Sequence, residues 1–540
     1  METLLDLLDQ SVQRFRDRPA LALRRDDGTT LHWTYEEVGR RARIAAWRLH
    51  AMGLQPGDRV LTWSPSTPAL PAAYYGAMYN RLIYVPLDQR MSAEAIERIR
   101  AKSGAVRLLL GTGRDAPDPA EAGLADFPTT TIEDLCADPD DTFPTDWQAQ
   151  VAAWPRPRPD EVFQLVFTSG TTGMPKGVML AHDNMLAAVG TFHRIVPPME
   201  HRLVSVLPLS HSLEQNVSLY YAMDVGADIL YVRSRNPRVI LDGFRDHHVT
   251  TMLVVPAMLD LLWSSITREV AKRGAEASFD RARRIARRLP MAARRLIFRS
   301  TVHAQFGGSL RLLVSAAAYL PPALQQGFED FGIVVLQGYG ATETAAGAAT
   351  SFKDHPVGCV GTPPPPIQMR IAPDGEIQFR GPTMFKGYWE DPGATKAAFT
   401  EDGWYMTGDL GKVDEKGRLF LHGRKRDMIV LPNGFNVFPE DIEIALRDAG
   451  VRDSVVIETE PGRIEAICLA PATPLGGTAP TEAQARDSIA AAVKQANNVL
   501  GPNQRIAGWR LWPEADFPRT HTLKVKRDPV RTWAKTTPAG

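Results

Sequence analysis

Short apolar runs rich in β-branched residues alternate with helical patterns through roughly the first 340 positions. Arg59-Val60-Leu61-Thr62-Trp63, Val162 to Phe167, Thr251 to Val255 and Leu310 to Val314 are each mostly apolar, with neighbouring rather than alternate places filled by apolar residues. Strands buried on both faces read that way, so the pattern predicts parallel sheets with covering helices. From about Gly358 the texture changes to short strands separated by turn signals, Pro373-Asp374-Gly375-Glu376 and Asp414-Glu415-Lys416-Gly417, which predict antiparallel hairpins. After Gly423 a compact mixture follows, with Ser454 to Ile457 and Ile464 to Leu469 as strands and Thr481 to Leu500 as a helix. A small C-terminal domain is expected there.

Composition narrows the class. The 540 residues are 44% hydrophobic and 23% charged, which is globular, and the length suits roughly three or four folding units. Lys plus Arg equals Asp plus Glu at 62 each, so no global field favours nucleic acid, and any basic site must be local. Cys136, Cys359 and Cys468 are too few and too far apart for a disulfide framework or a metal cluster, which fits a reducing compartment. The acidic, amphipathic start Met1 to Asp9 reads as a first helix rather than a signal peptide. The most apolar stretch, Thr251 to Trp263, is broken by Pro256 and Asp260 and is shorter than the ~20 residues a bilayer needs. A cytoplasmic protein is expected.

The strongest local signal is Phe167-Thr168-Ser169-Gly170-Thr171-Thr172-Gly173-Met174-Pro175-Lys176-Gly177, a loop directly after a predicted strand. Glycines let backbone N–H groups approach phosphate oxygens, the hydroxyls add donors, and Lys176 supplies a mobile positive charge. It is not a Walker A loop, because Pro175 stands where the second glycine would be. Gln337-Gly338-Tyr339-Gly340-Ala341-Thr342-Glu343-Thr344 follows the strand-like Ile333 to Leu336 and gathers an aromatic ring, a hydroxyl and a carboxylate. Those are parts for a base, a phosphate and a metal. Trp404 to Leu410 presents Asp409 at a turn, suited to a ribose diol. Gly423-Arg424-Lys425-Arg426-Asp427 places a charged knot at the inferred boundary.

In this order and at these distances the segments resemble the adenylate-forming superfamily of acyl-CoA synthetases, luciferases and peptide-synthetase adenylation domains, over nearly the whole chain. Leu207-Pro208-Leu209-Ser210-His211-Ser212-Leu213-Glu214-Gln215, Phe306 to Arg311 running into Ser315 to Leu320, and Thr520 to Arg527 are similar to the bacterial long-chain fatty-acyl-CoA synthetase branch. Many short-chain and aryl relatives carry a glycine where Leu523 stands. The resemblance implies an α/β fold. A large N-terminal domain, residues 1–423, has parallel-rich sheets and a small β-barrel-like subdomain over about 358–423. A hinge at 424–427 follows, then a small mobile α+β domain, 428–540.

It further implies ATP-dependent conversion of a medium-to-long-chain fatty acid to acyl-AMP, then transfer to the thiol of CoA. Thr168, Ser169, Gly170, Thr171, Thr172, Gly173 and Lys176 would hold the β- and γ-phosphates, and Glu343 with Thr168 would coordinate Mg²⁺. Gly338, Tyr339 and Gly340 would bind ATP or AMP, Tyr339 by stacking on the adenine, with Ala316 and Ala317 lining its pocket; Thr342 would bond the α-phosphate, and Asp409 with Arg424 the ribose. Lys524 matches the adenylation lysine, Arg426 the hinge about which the C-terminal domain turns, and His211 lies at the acyl pocket as a gating or carboxylate-contacting residue, or as a structural one. Luciferase-like members have a second functional lysine where Val430 stands, so the group assisting thiolysis is open. An acyl-AMP ligase that loads an acyl carrier protein, or an aryl or short-acid ligase, shares these motifs.

Arg281 to Arg299 contains eight arginines and no acid, with Ala282, Ile285, Ala286, Leu289, Ala293 and Leu296 near one helical face. Such a surface suits peripheral docking on anionic lipid at the inner membrane face; a solvated face or a contact for CoA phosphates are the alternatives. Two other classes fail. Gly111-Thr112-Gly113 is followed by Pro117 and Pro119 where a dinucleotide-binding helix must open, and no Gly-x-Ser-x-Gly elbow of a serine hydrolase occurs. The sequence carries no signal of oligomeric state.

Overall fold

The computed structural model describes the chain except residues 26, 114, 169–174, 235, 434, 472–479, 520–524 and 538–540. Its contacts divide the chain into two units. One comprises residues 1–369 and 379–405, the other residues 370–378 and 406–540.

Among the described residues of the first unit, two sheets carry the core. The larger runs Ala348–Ala349, Val334–Tyr339, Leu312–Ser315, Thr251–Val254, Arg202–Ser205, Asp228–Tyr231, Pro19–Arg24, Thr30–Thr34. Its inner pairs are parallel and only the two edge strands are antiparallel. The smaller runs Thr129–Thr131, Arg107–Leu110, Arg59–Trp63, Ile83–Leu87, Val162–Thr168, Lys176–Ala181, parallel except for the last pair. The apolar runs predict these strands because side chains on both faces are covered: Ile83–Leu87 is buried at every position. The helix Ala69–Tyr79 is buried throughout. It lies close to the helix Tyr35–Ala51, where a Cβ on Gly76 would stand 2.7 Å from that of Ala45, so only glycine permits the approach.

Two expectations are revised. The stretch 281–299 does not present one helical face: Pro290 lacks an N–H and separates Glu276–Ala286 from Met291–Ile297. Ala286 is buried, whereas Ile285 and Leu296, expected beside it, are exposed. The β-rich stretch also does not group with the preceding residues alone. A four-stranded sheet, Gln368–Ile371, Glu376–Arg380, Tyr405–Val413, Leu419–Arg424, places most of its residues in the second unit, because those strands pair with one another.

The second unit also holds a three-stranded sheet, Ser454–Glu460, Arg463–Cys468 and Gly508–Leu511. Helices Pro439–Asp448 and Glu482–Val499 bury Ile442, Leu446, Ile489 and Val493 against one face. The helix Arg527–Thr536 contributes Val530 and Ala534 to a second apolar cluster with Val455, Ile457 and Trp512.

Candidate active site

In the first unit the hydroxyl- and glycine-rich segment joins two antiparallel strands rather than a strand and a helix. Thr168 and Lys176 face each other as register partners at its base. Ser169, Gly170, Thr171, Thr172 and Gly173 lie outside the described residues.

The residues 385–389 run alongside the strand that Lys176 opens. Trp389 N–H donates to the Gly177 carbonyl (2.7 Å), Met179 N–H to Gly387 (3.0 Å) and Lys386 N–H to Met179 (2.9 Å). That pairing sets Tyr388 between two of the expected residues. The Lys176 Nζ stands 4.9 Å from the Tyr388 ring centroid, and the Tyr388 hydroxyl donates to Glu343 Oε1 at 3.0 Å. Burial, with the Glu343 carboxylate beside it, holds the Tyr388 phenol above its usual range, so it stays a proton donor to that carboxylate. Phe385 N–H donates to the Glu343 carbonyl (2.8 Å) and fixes the same turn from its backbone side. Tyr388 was missed in the sequence because no local pattern distinguishes Lys386-Gly387-Tyr388-Trp389; only strand pairing brings it to Glu343.

Glu343 sits in the single turn Thr342–Thr344 just beyond the strand Val334–Tyr339. The parallel neighbour Leu312–Ser315 is in register Ser315 to Gln337, so Ala316 and Ala317 leave their strand where Gly338 and Tyr339 end theirs. Such C-terminal strand ends of a parallel sheet are where ligands bind. A Cβ on Gly338 would lie 3.7 Å from that of Ala316, and the Tyr339 ring leans on Phe379 at 5.9 Å. Ala317 (φ 71) and Ala345 (φ 49) both occupy the left-handed region, a cost of order 1–2 kcal/mol for a side-chain-bearing residue. Ala345 is held from below, its carbonyl accepting from Asn216 Nδ2 at 3.0 Å.

Asn216 begins the π-helical turn Asn216–Tyr221, which continues the helix that His211 caps. His211 pairs with Asp88, Nε2 to Oδ2 at 3.4 Å, and the Asp88 side chain is 3% exposed. Asp88 ends the loop entry after the strand Ile83–Leu87 and was not singled out in the sequence. One turn on, Glu214 is buried, accepts from Ser205 Oγ at 2.5 Å, and is pushed up to about 7 by burial.

In the second unit Asp409, expected at a turn, lies inside the strand Tyr405–Val413, kinked by Gly408 at φ 71. It is the register partner of Arg424, with Nε 3.6 Å from Oδ1. The kink is braced: Thr407 Oγ1 donates to the Ile377 carbonyl (2.7 Å), Asp409 N–H to Thr407 Oγ1 (3.0 Å), and Gly408 N–H to Glu376 Oε1 (2.9 Å). The other Glu376 oxygen meets Lys425 Nζ at 3.2 Å, and Lys425 reaches Asp374 at 2.6 Å. The hydrogen bond from Lys425 holds the Asp374 carboxyl below its usual range.

Arg426 is exposed in the turn Lys425–Asp427. Its neighbour Asp427 is buried and held by Arg531 at 2.8 Å. Lys524 lies outside the described residues, but its flanks are anchored. Arg519 and Val525 form a bridge, Lys526 N–H donates to Pro518 (2.7 Å), Arg519 pairs with Asp453 (2.8 Å), and Arg527 with Glu443 (2.6 Å). Burial opposes charge on Arg527, yet Glu443, Glu440 and Asp427 outweigh it and raise its pKa.

The described residues contain no cluster of three or more metal-ligating side chains. A lone carboxylate with a fixed donor, as at Glu343, fits an ion that takes most of its ligands from phosphates and water, as Mg²⁺ does.

The profile of the AMP-binding enzyme family matches residues 8–389. The long-chain-fatty-acid–CoA ligase FadD15 of Mycobacterium bovis is 31% identical over 559 aligned positions, covering 93% of this chain and 91% of its own. A feruloyl-CoA synthase of an Amycolatopsis species is 29% identical, covering 80% and 81%. Among solved structures, ATP-bound MatB from Rhodopseudomonas palustris matches with a TM-score of 0.75 at 24% identity over 99% of both chains. The o-succinylbenzoate coenzyme A synthetase MenE of Bacillus subtilis, in complex with ATP and magnesium ion, matches with a TM-score of 0.74 at 22% identity over 97% of this chain and 99% of its own.

Proposed function

The chain belongs to the AMP-binding enzyme family, and from that premise we propose that it is an ATP-dependent acid–CoA ligase whose acid is a medium-to-long-chain fatty acid. The observation that carries the reading is the similarity along nearly the whole chain to a long-chain-fatty-acid–CoA ligase.

A carboxylate resists thiol attack, so it is first activated. Its oxygen attacks the α-phosphorus of ATP, the bond to pyrophosphate breaks, and acyl-AMP remains. The thiol of CoA then attacks the acyl carbon, AMP leaves, and the thiol proton passes to a base. In this reading Lys176 and the segment Thr168–Gly173 hold the β- and γ-phosphates, where hydrogen bonds to anions are strongest. Mg²⁺, held by Glu343 and Thr168, would neutralise phosphate charge. Tyr388 keeps the Glu343 carboxylate oriented and stands its ring beneath Lys176. Gly338, Tyr339, Gly340, Ala316 and Ala317 receive the adenine, Thr342 the α-phosphate, and the Asp409–Arg424 pair the ribose hydroxyls. Lys524 brings the fatty carboxylate to the α-phosphate so that two anions can meet. The C-terminal part turns about Arg426 between the two half-reactions. His211, oriented by Asp88, borders the acid.

A second reading, an aryl-acid ligase, draws on the similarity to feruloyl-CoA synthase. A third keeps the fatty acid but passes it to a carrier protein's phosphopantetheine. Mass spectrometry of products from ATP, Mg²⁺ and an acid panel from acetate to oleate with ferulate decides among them, run with CoA, with a phosphopantetheinylated carrier protein and with neither. Acyl-CoA and AMP from the long acids are expected. Turnover of ferulate alone, or acyl-adenylate persisting in the presence of CoA, would overturn the fatty-acid or the CoA assignment respectively.

A further inference from the structure

The arginine-rich stretch 281–299 is sorted by the fold into two sets of different purpose. Four arginines are tied to acceptors of the fold, Arg287 with 46% of its side chain still exposed. Arg283 and Arg287 close on the carboxylate of Asp330, which is 0% exposed, through Nε bonds of 3.1 and 2.8 Å, with Gln326 Nε2 completing the site at 3.0 Å. Arg294 donates to the carbonyls of Leu289, Arg287 and Glu329, and Arg295 to those of Leu310 and Gly332. These four satisfy buried acceptors and explain themselves as structure.

The other four do not. Arg281, Arg284, Arg288 and Arg299 are exposed. Arg281, Arg284 and Ile285 share one face of the helix Glu276–Ala286, and Arg288 follows in its closing turn. On the same helix Ile285 is 53% exposed, and on the next, Met291–Ile297, Leu296 is 71% and Ile297 40% exposed. A single exposed aliphatic side chain is ordinary; three of them in the same short stretch as four outward guanidinium groups are a combination that water alone does not favour. The acids of the helix Glu276–Ala286 are Glu276 and Asp280, and Asp280 stands 3.6 Å from Arg283, one of the first four.

We propose that Arg281, Arg284, Arg288 and Arg299 with Ile285, Leu296 and Ile297 form a docking face for an anionic lipid surface. The guanidinium groups seat against headgroup phosphates, and the aliphatic side chains enter the boundary between headgroups and acyl chains. Charge complementarity selects the anionic bilayer, and the aliphatic groups separate it from a polyanion that offers phosphates alone. The face stands whichever acid the enzyme activates.

The sorting dictates the test. Reversing Arg283 or Arg287 would surround the buried Asp330 with its own sign of charge and probe folding rather than docking. The outward triple R281E/R284E/R288E and the apolar pair I285S/L296S leave every inward bond in place. Full-length protein is floated with phosphatidylcholine vesicles, with and without phosphatidylglycerol, at low and high salt, with melting temperature and adenylate formation in vesicle-free solution as controls. Wild type is expected to float with the anionic vesicles only. An arginine near an anionic leaflet is worth about fivefold in partitioning, so the triple variant should bind about a hundredfold more weakly or worse. The apolar pair should bind more weakly and release at lower salt, and both variants should melt and form adenylate as wild type does. No flotation of wild type at low salt would overturn the proposal. So would binding to heparin or DNA equal to vesicle binding and indifferent to I285S/L296S, since the face would then be a general polyanion site.

Discussion

Replacing Tyr388 by Phe removes one oxygen and leaves the ring on which Lys176 rests, so it isolates the hydrogen bond to Glu343. A hydrogen bond to a charged acceptor is worth about 1.5–3 kcal/mol when buried. Glu343 is half-buried, and water regains part of the lost bond. About 1–2 kcal/mol remains, a factor of roughly 5 to 30. If Glu343 binds Mg²⁺, the loss falls on its orientation. The Mg²⁺ concentration for half-maximal pyrophosphate release should rise by that factor, while the rate at saturating Mg²⁺ stays within about twofold of wild type. Tyr388→Leu also removes the ring from under Lys176, a contact worth about 0.5–1 kcal/mol, and should raise the KM for ATP by roughly 2- to 5-fold beyond the Phe variant. The measurement is a coupled pyrophosphate assay with Mg²⁺ and ATP titrated separately. A Phe variant whose Mg²⁺ curve lies on that of wild type would refute the bridge, and equal losses in the Phe and Leu variants would show that the ring contributes nothing beneath Lys176.

Three further outcomes are expected. Lys524→Ala should abolish adenylate formation while sparing thiolysis of a supplied acyl-adenylate; equal loss of both half-reactions would contradict its role. Glu214 has a folded pKa of about 7 against roughly 4.5 unfolded, so the protonated form stabilises the fold below about pH 4.5 and that contribution is lost as pH rises through 7, about 3 kcal/mol in all. Thermal melts from about pH 5 to 8 should therefore decline less steeply for Glu214→Gln than for wild type, and parallel curves would place the titration elsewhere. The double variant R283M/R287M strands the buried Asp330 carboxylate and should cost about 3–5 kcal/mol in a denaturant titration; a loss below about 1 kcal/mol would show that the carboxylate finds another partner.

What the sequence displays is what a short window can hold. Arg59–Trp63 and Val162–Thr168 are legible because strands buried on both faces are apolar at most successive positions. Thr481 capping the helix Glu482–Val499 is legible because its side chain and that of Gln484 satisfy each other's backbone N–H groups. The segments that carry Lys176, Glu343, Asp409 and Arg424 stand out because glycine, hydroxyl and charge are concentrated within a few residues. Tyr388 and Asp88 do not stand out, since each acquires its partner through strand order, which no window contains. The same reason hides the inward arginines: Arg283 and Arg287 look like surface charge until the helix Pro322–Asp330 brings Asp330 to them. The interruption at Pro290 was written in the sequence, but the apolar spacing on either side of it suggested continuity.

The chain passes into the second unit at residue 370, out again at 379 and back at 406. A contiguous carboxy-terminal fragment is therefore not a whole body. Cut before residue 406, the remaining piece keeps the strand Glu376–Arg380 without its sheet neighbour Tyr405–Val413, an open edge that invites aggregation. The released piece, for its part, lacks the Glu376 that braces Gly408 and Lys425. Grafting the carboxy-terminal body of one such enzyme onto another thus calls for exchanging two separated segments together, and lineages that recombined at a single crossover after residue 405 would have inherited a mismatched seam.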